Sequence, residues 1–477
     1  YNQLFTMHGS TMMFLFLTPM IAGLGSYLVP LQIGARNVAF PRLNALSYWL
    51  LLAGGVTLYA TLFFTPPEAG WTSYPPLSNQ IFSPSAGQDA WIYLFLLTGL
   101  SAILSAVNLI ATVINNRAPG LTWAKVPAFT WSLLTYSVLA IISLPVAAAA
   151  AVMLLFDRNY GTSFFNDTSG GSPSLYQNLF WFFGQPQSYM AVIPAFGIAI
   201  EVLAVFGRKA NQSQKAVTQA FVAVAGLSLV TWGSHMFTMP ESAEVRTLFT
   251  ILALLTLIPI AVLVGACLKA LSNASIVTSS PLFYAAGFVG VFVFGAVSGI
   301  FMQIFPIAWQ VSDSYFMVAQ FHYTVAAAGI FGVLAALHFW YPKFTGRMVN
   351  EKIAKASFWL IFIGFNLAFL IQNSLGLEGM PRRIYEYGTG TGWQAENMIS
   401  TAGSLVLSVG ILLAAFNFVR SLTHGAKAGP DPWNGNTLEW FTPSPPPANN
   451  FDSIPAVQSL EPMKDIRSEL QSSNAGS

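Results

Sequence analysis

Residues 128–156 read AFTWSLLTYSVLAIISLPVAAAAAVMLLF, an apolar run without one charged side chain. A helix needs about 20 such residues to cross a hydrocarbon core about 30 Å thick, so this run is long enough to span a bilayer. Working outward, comparable stretches lie at 7–30, 43–65, 90–113, 176–206, 217–238, 246–268, 281–303, 314–342, 353–375 and 394–419. Open sheets leave backbone groups unpaired in lipid, and no alternating pattern of about ten residues suggests a barrel. The fold expected is therefore all-α, a polytopic membrane bundle of eleven transmembrane helices over residues 1–427. Composition agrees: 54% of the 477 residues are hydrophobic and only 8% are charged, against about 25% charged in soluble domains. That excludes a water-soluble enzyme. A net charge of +2 without a basic patch excludes nucleic acid as a partner, and the single Cys267 excludes a disulfide framework or a multi-cysteine metal site. The chain starts at Tyr1 with no secretory signal in view, which reads as an N-terminus either missing or removed.

Charge sets the orientation. Loops after spans one, three, five, seven and nine, with the C-terminal tail and adjoining span edges, hold sixteen of the twenty Lys and Arg residues; the alternate loops hold only Arg158, Arg246, Arg382 and Arg383. The positive-inside rule then puts the N-terminus outside and the C-terminus in the cytoplasm, as expected for a multi-pass protein of a plasma (inner) membrane. Residues 428–477, with Gly429-Pro430-Asp431-Pro432 and Ser444-Pro445-Pro446-Pro447, read as a Pro-rich cytoplasmic tail on the bundle surface.

Ionisable residues inside a bilayer are the first candidates for function. Glu201 is the one acid well within a span, near its inner end. His8, His235 and His322 fall at matched depth in the outer third of the membrane, at about 1.5 Å of rise per residue. Two histidines on different helices at one depth are able to ligate a haem iron from both faces. The competing reading is a set of packing histidines bonded across helices. Gly9 and Ser10 beside His8, and Ala326 to Gly329 beyond His322, are small enough to leave room for a macrocycle. On the outer side Arg382 and Arg383 form an adjacent guanidinium pair, suited either to carboxylates such as haem propionates or to helix-end carbonyls.

Several of these residues belong to motifs that resemble subunit I of the haem–copper oxidases, of the cytochrome c oxidase type. YNQLFTMHGSTMMFLFLTPMIAGLGSYLVP at Tyr1–Pro30 is similar to that family's second helix with its haem-ligating histidine. GWTSYPPL at Gly70–Leu77 resembles an outer loop, and DRNYGTSFFNDTSGGSPSLYQNLFWFFG at Asp157–Gly184 the approach to the active site. Gln320-Phe321-His322-Tyr323, Gly379-Met380-Pro381-Arg382-Arg383 and the tail from Pro432 to Pro455 follow in family order. The resemblance implies the family's bundle without its first helix, eleven spans in place of twelve. It also implies a low-spin haem ligated by His8 and His322, with Phe321, Trp71, Arg382 and Arg383 around it.

The departures from the pattern fall on the oxygen-reducing centre. Gln185, Ser234 and Gln320 stand where the family has two copper histidines and the high-spin haem ligand; only His235 remains. Gln187, Leu263 and Ile200 replace the glutamate, lysine and serine of its proton routes, and Ser312 replaces a magnesium-site histidine beside a retained Asp313. Amides and hydroxyls replace imidazole poorly on copper or haem iron. The expectation is an electron-transfer subunit of a respiratory complex with one low-spin haem and no copper, without its own oxygen reductase activity. Its partners would be subunits like oxidase subunits II and III, or a cytochrome c or quinone-linked protein, in membrane lipid. The alternatives are a terminal oxidase or nitric-oxide-type reductase with an unusual metal site, and a haem-free scaffold.

Overall fold

The computed structural model describes residues 1–209 and 213–475, and among these it is helical without a strand. Ten helices are long and apolar enough to cross a membrane: α1 Asn2–Gln32, α2 Pro41–Phe63, α3 Ala86–Asn115, α4 Ala128–Asn159, α5 Pro173–Phe206, α7 Ala243–Leu271, α8 Ser280–Gln303, α9 Tyr315–Thr345, α10 Glu351–Leu377 and α11 Gln394–His424. The sixth expected span differs. Helix α6, Gln214–Val230, stops at 17 residues, and the chain continues from Trp232 to Met236 as a 3₁₀ turn. Ten long helices and one short one thus stand where eleven full spans were expected. Gly233 sits in the break, where a Cβ would lie 2.3 Å from the Phe249 ring, so the turn is built for a close approach rather than for a continuous helix.

Local chemistry explains the starts. Proline occupies the first turn of α2, α5 and α8, where its missing N–H costs nothing. Asn350 caps α10 by accepting a 3.1 Å hydrogen bond from the Ile353 amide. Packing follows the small residues. Cβ atoms at Gly364 and Gly403 would meet backbone nitrogens of Leu407 and Ala368 at 2.3 Å, so α10 and α11 approach backbone to backbone. Helix α5 is the axis of the bundle, with 89% of its most apolar window buried, against 22% for α2 and 28% for α11. The outer helices turn Trp49, Phe63 and Leu412 outward, as a lipid-facing surface does.

At the end of the bundle near residue 1, Arg158 is buried. It bonds Asp89 at 2.7 Å and the carbonyls of Ser78 and Ser83 at 2.6 and 2.9 Å, pinning the loop between α2 and α3. At the opposite end the C-terminal segment crosses the bundle. Trp433 donates to the Phe339 carbonyl at 2.8 Å, and Leu438, Glu439 and Trp440 are buried. The segment ends in a helix, α12, Pro462–Ala475, which the Pro-rich reading of the tail did not anticipate; Arg467 ties it to Asp431 at 2.7 Å.

Candidate functional site

His8 lies in the second turn of α1 and His322 at the end of the second turn of α9, each roughly 10 Å from its helix start at 1.5 Å per residue. The rings are within electrostatic reach of each other. Both helices widen beside the histidines: Thr11–Leu17 in α1 and His322–Ala326 with Ala328–Gly332 in α9 are π-helical, a distortion frequent at functional sites. These wide segments touch, because a Cβ on Gly329 would lie 3.1 Å from Leu17 Cδ1. Nδ1 of His322 is 2.7 Å from the Val318 carbonyl, which places the ring proton there and leaves Nε2 as the lone-pair nitrogen. Phe369 stacks on the ring at 3.9 Å and Phe321 tilts against it at 4.5 Å. His8 is exposed, and among the described residues its ring makes no hydrogen bond.

The outer loops close over this pair. Trp71 packs on α1 one residue past His8, since a Cβ on Gly9 would meet its Cβ at 3.1 Å, and the preceding Gly70 amide donates to Thr6 Oγ1 at 2.9 Å. Arg383 stands over the Phe5 ring at 5.2 Å and against Gly70, whose φ of +79° favours glycine and where a Cβ would meet the guanidinium at 3.2 Å. Arg382 bonds Asp313 through Nε at 2.7 Å. Arg383 forms no ion pair among the described residues. Its burial, with Arg382 beside it, pulls the guanidinium down to about 10, a penalty that an anionic group would relieve. A lone-pair imidazole nitrogen on α9, an unbonded imidazole on α1 and an unpaired guanidinium at the rim fit a haem with carboxylate substituents. His8, His322, Phe321, Trp71 and Arg383 are gathered in one place, and Arg382 reaches it through Asp313.

The second candidate pocket is built differently. Gln185 Oε1 accepts a 2.5 Å hydrogen bond from His235 Nε2, and Gln185 Nε2 donates to Thr231 Oγ1 at 3.2 Å. His235 lies flat on Trp181, ring centroids 3.8 Å apart and 7° from parallel, a contact that spacing did not reveal. Ser234 bonds the Thr231 carbonyl at 2.9 Å, and Gln187 donates to Thr18 Oγ1 at 2.8 Å. Leu263 and Ile200 are buried among apolar side chains. Among the described residues no three His, Cys, Asp or Glu side chains converge as metal ligands do.

Fold and site define a polytopic helical membrane protein with an imidazole pair between two widened helices. The chain matches the family described as "Cytochrome C and Quinol oxidase polypeptide I" over residues 1–406 and belongs to it. It is 41% identical over 467 residues to a "Probable cytochrome c oxidase subunit 1-beta" of Nocardia farcinica, covering 97% of this chain and 79% of that one. Identity is 40% to cytochrome c oxidase subunit 1 of Corynebacterium efficiens, over 97% of this chain and 80% of that one. For the Bacillus subtilis subunit 1 it is 39%, over 97% and 74%. A cryo-EM structure of a haem–copper terminal oxidase dimer superposes with a TM-score of 0.72 at 16% identity, over 90% of this chain and 78% of that one, which shows the shared fold.

Proposed function

We propose that this chain is a haem-bearing electron-transfer subunit of a respiratory oxidase complex in a bacterial plasma membrane, N-terminus outside and C-terminus in the cytoplasm. His8 and His322 would hold the haem, which would supply one-electron transfer there and, with both imidazoles bound, offer oxygen no open position. The chain's own residues do the positioning. The Val318 carbonyl fixes the His322 ring and raises the basicity of Nε2. Phe369 and Phe321 hold the ring plane, Trp71 covers the α1 side, and Arg383 would receive a carboxylate at the membrane edge beside Arg382, which Asp313 holds. The sixteen-to-four distribution of basic residues supports the orientation. Partner subunits resembling oxidase subunits II and III, or a cytochrome c or quinone-linked protein, would supply and accept the electrons.

The observation that carries this reading is the donor set of the second pocket. One imidazole, His235, is hydrogen-bonded to the Gln185 amide and stacked on Trp181, where a copper site needs several imidazoles. A second reading, a terminal oxidase subunit I reducing oxygen at an unusual metal site, is favoured by the names of the relatives over nearly the whole chain. Metal analysis and a pyridine-haemochrome assay of the purified complex, counted per copy of this chain, decide between them. One haem and no copper in this chain supports the first; copper in this chain with a five-coordinate high-spin haem establishes the second.

A further inference from the structure

At the end of the bundle opposite the histidines, two carboxyl groups from distant parts of the chain meet across one amide. Gln32 Nε2, at the end of α1, donates to Glu201 Oε2 on α5 at 2.7 Å and to Glu439 Oε1 in the C-terminal segment at 3.3 Å. Thr130 Oγ1 donates to Gln32 Oε1 at 2.8 Å, which fixes the amide with both hydrogens toward the acids. The Phe129 amide donates to Glu201 Oε1 at 2.8 Å, and Trp340 Nε1 to Glu439 Oε1 at 3.1 Å. Glu439 is fully buried, yet its Oε2 has no partner.

Charges that would balance two carboxylates are engaged elsewhere. Neither acid forms an ion pair among the described residues. Lys343 on α9 faces Glu439 and Asp431, but its ammonium donates to the carbonyls of Pro430, Thr442 and Pro443 at 3.1, 2.8 and 3.3 Å. Asp431 is paired with Arg467. A cavity of about 60 Å³ leads to Glu201, with Lys125, Lys209 and Glu461 in its wall, large enough for water.

We propose that Glu201 and Glu439, bridged by Gln32, form a site for one shared proton that fastens the C-terminal segment to the helix bundle. Like charges confined at one amide cannot both stay ionised at little cost, and a neutral carboxyl tolerates an unpartnered oxygen better than a carboxylate does. The proton leaves through the water-sized cavity, and with two carboxylates facing each other the segment loosens. The inference is independent of what the histidine site binds.

Burial raises the Glu439 carboxyl above its ordinary range when the segment is docked. The docked state therefore holds more protons than the released one. Docking is strongest below the free carboxyl range, about 4.3, and weakens up to tenfold per pH unit as pH rises toward the docked value.

The test is hydrogen–deuterium exchange of the amides in 433–442 in the intact purified complex, corrected for intrinsic rates, between about pH 5 and about pH 9. In the unmodified protein, protection should fall with rising pH up to about tenfold per unit before levelling. Glu439→Gln should keep the segment protected with a flat profile, and Glu201→Gln should shrink the fall. Infrared spectra of the unmodified protein should hold a protonated-carboxyl C=O band at about pH 7 that is missing from Glu439→Gln. A flat profile in the unmodified protein, a Glu439→Gln profile that parallels it, or absence of the carboxyl band each overturns the proposal.

Discussion

Replacing His322 and His235 by alanine, one at a time, separates ligation from packing. His235 contributes a hydrogen bond to Gln185 at 2.5 Å and a parallel stack on Trp181 at 3.8 Å. Side-chain hydrogen bonds in membrane bundles average about 0.6 kcal/mol, and aromatic stacking adds about 0.5–1.5 kcal/mol. His235→Ala should therefore cost about 1–2 kcal/mol of stability and leave the haem spectrum as it was. His322 makes a comparable pair of contacts, 2.7 Å to the Val318 carbonyl and a 3.9 Å stack on Phe369, so its packing loss is of the same size. His322→Ala should nonetheless empty the haem site, because the second axial nitrogen is gone. The assay is haem per protein beside thermal unfolding of each purified variant, with free imidazole added to His322→Ala. Imidazole should restore the six-coordinate spectrum in the cavity left by the ring. Equal bleaching by the two substitutions, or an unchanged low-spin spectrum in His322→Ala, would refute the ligand assignment.

Restoring Gln187→Glu together with Leu263→Lys should raise neither oxygen uptake nor proton release in vesicles, because the donor set around His235 remains incomplete; a clear rise in either rate defeats the electron-transfer reading. Gly329→Val places a side chain 3.1 Å or less from Leu17 and should cost about 1–3 kcal/mol while shifting the haem absorption, measured by melting temperature and visible spectrum. An unshifted spectrum would mean that the contact of the two π-helical segments does not set the spacing of the histidines. Arg158→Met leaves the carbonyls of Ser78 and Ser83 without this donor and Asp89 with only Asn159, and should destabilise by about 3–5 kcal/mol. Protease cleavage between α2 and α3 should rise with it, and an unchanged cleavage rate would exclude Arg158 as the anchor of that loop.

Part of this architecture is legible in the residues themselves. A transmembrane helix is a local object: it satisfies its own backbone, and lipid selects its side chains, so hydropathy locates it within a few residues. Ten of the expected spans stand as long apolar helices, and His8 and His322 each lie about two turns from the start of theirs. The residue types at Gln185, Gln187, Ser234 and Gln320 are likewise properties of single positions, readable one by one.

What the sequence could not declare depends on which side chains face each other. Helix α6 ends at Val230 and a 3₁₀ turn follows, in which Gly233 lies close under the Phe249 ring, a contact that the sequence does not show. The π-helical widening beside both histidines, Trp181 on His235, and Phe369 on His322 are contacts between helices whose rotation hydropathy leaves open. Gln32 and Glu439, 407 residues apart, meet only because the C-terminal segment folds back over the bundle. Sequence alone therefore determined that this is a multi-span membrane protein and which ligand-type residues it contains. Tertiary packing decided which of them meet, since a hydrogen bond or ring stack exists only within a few ångströms and nothing local encodes that approach.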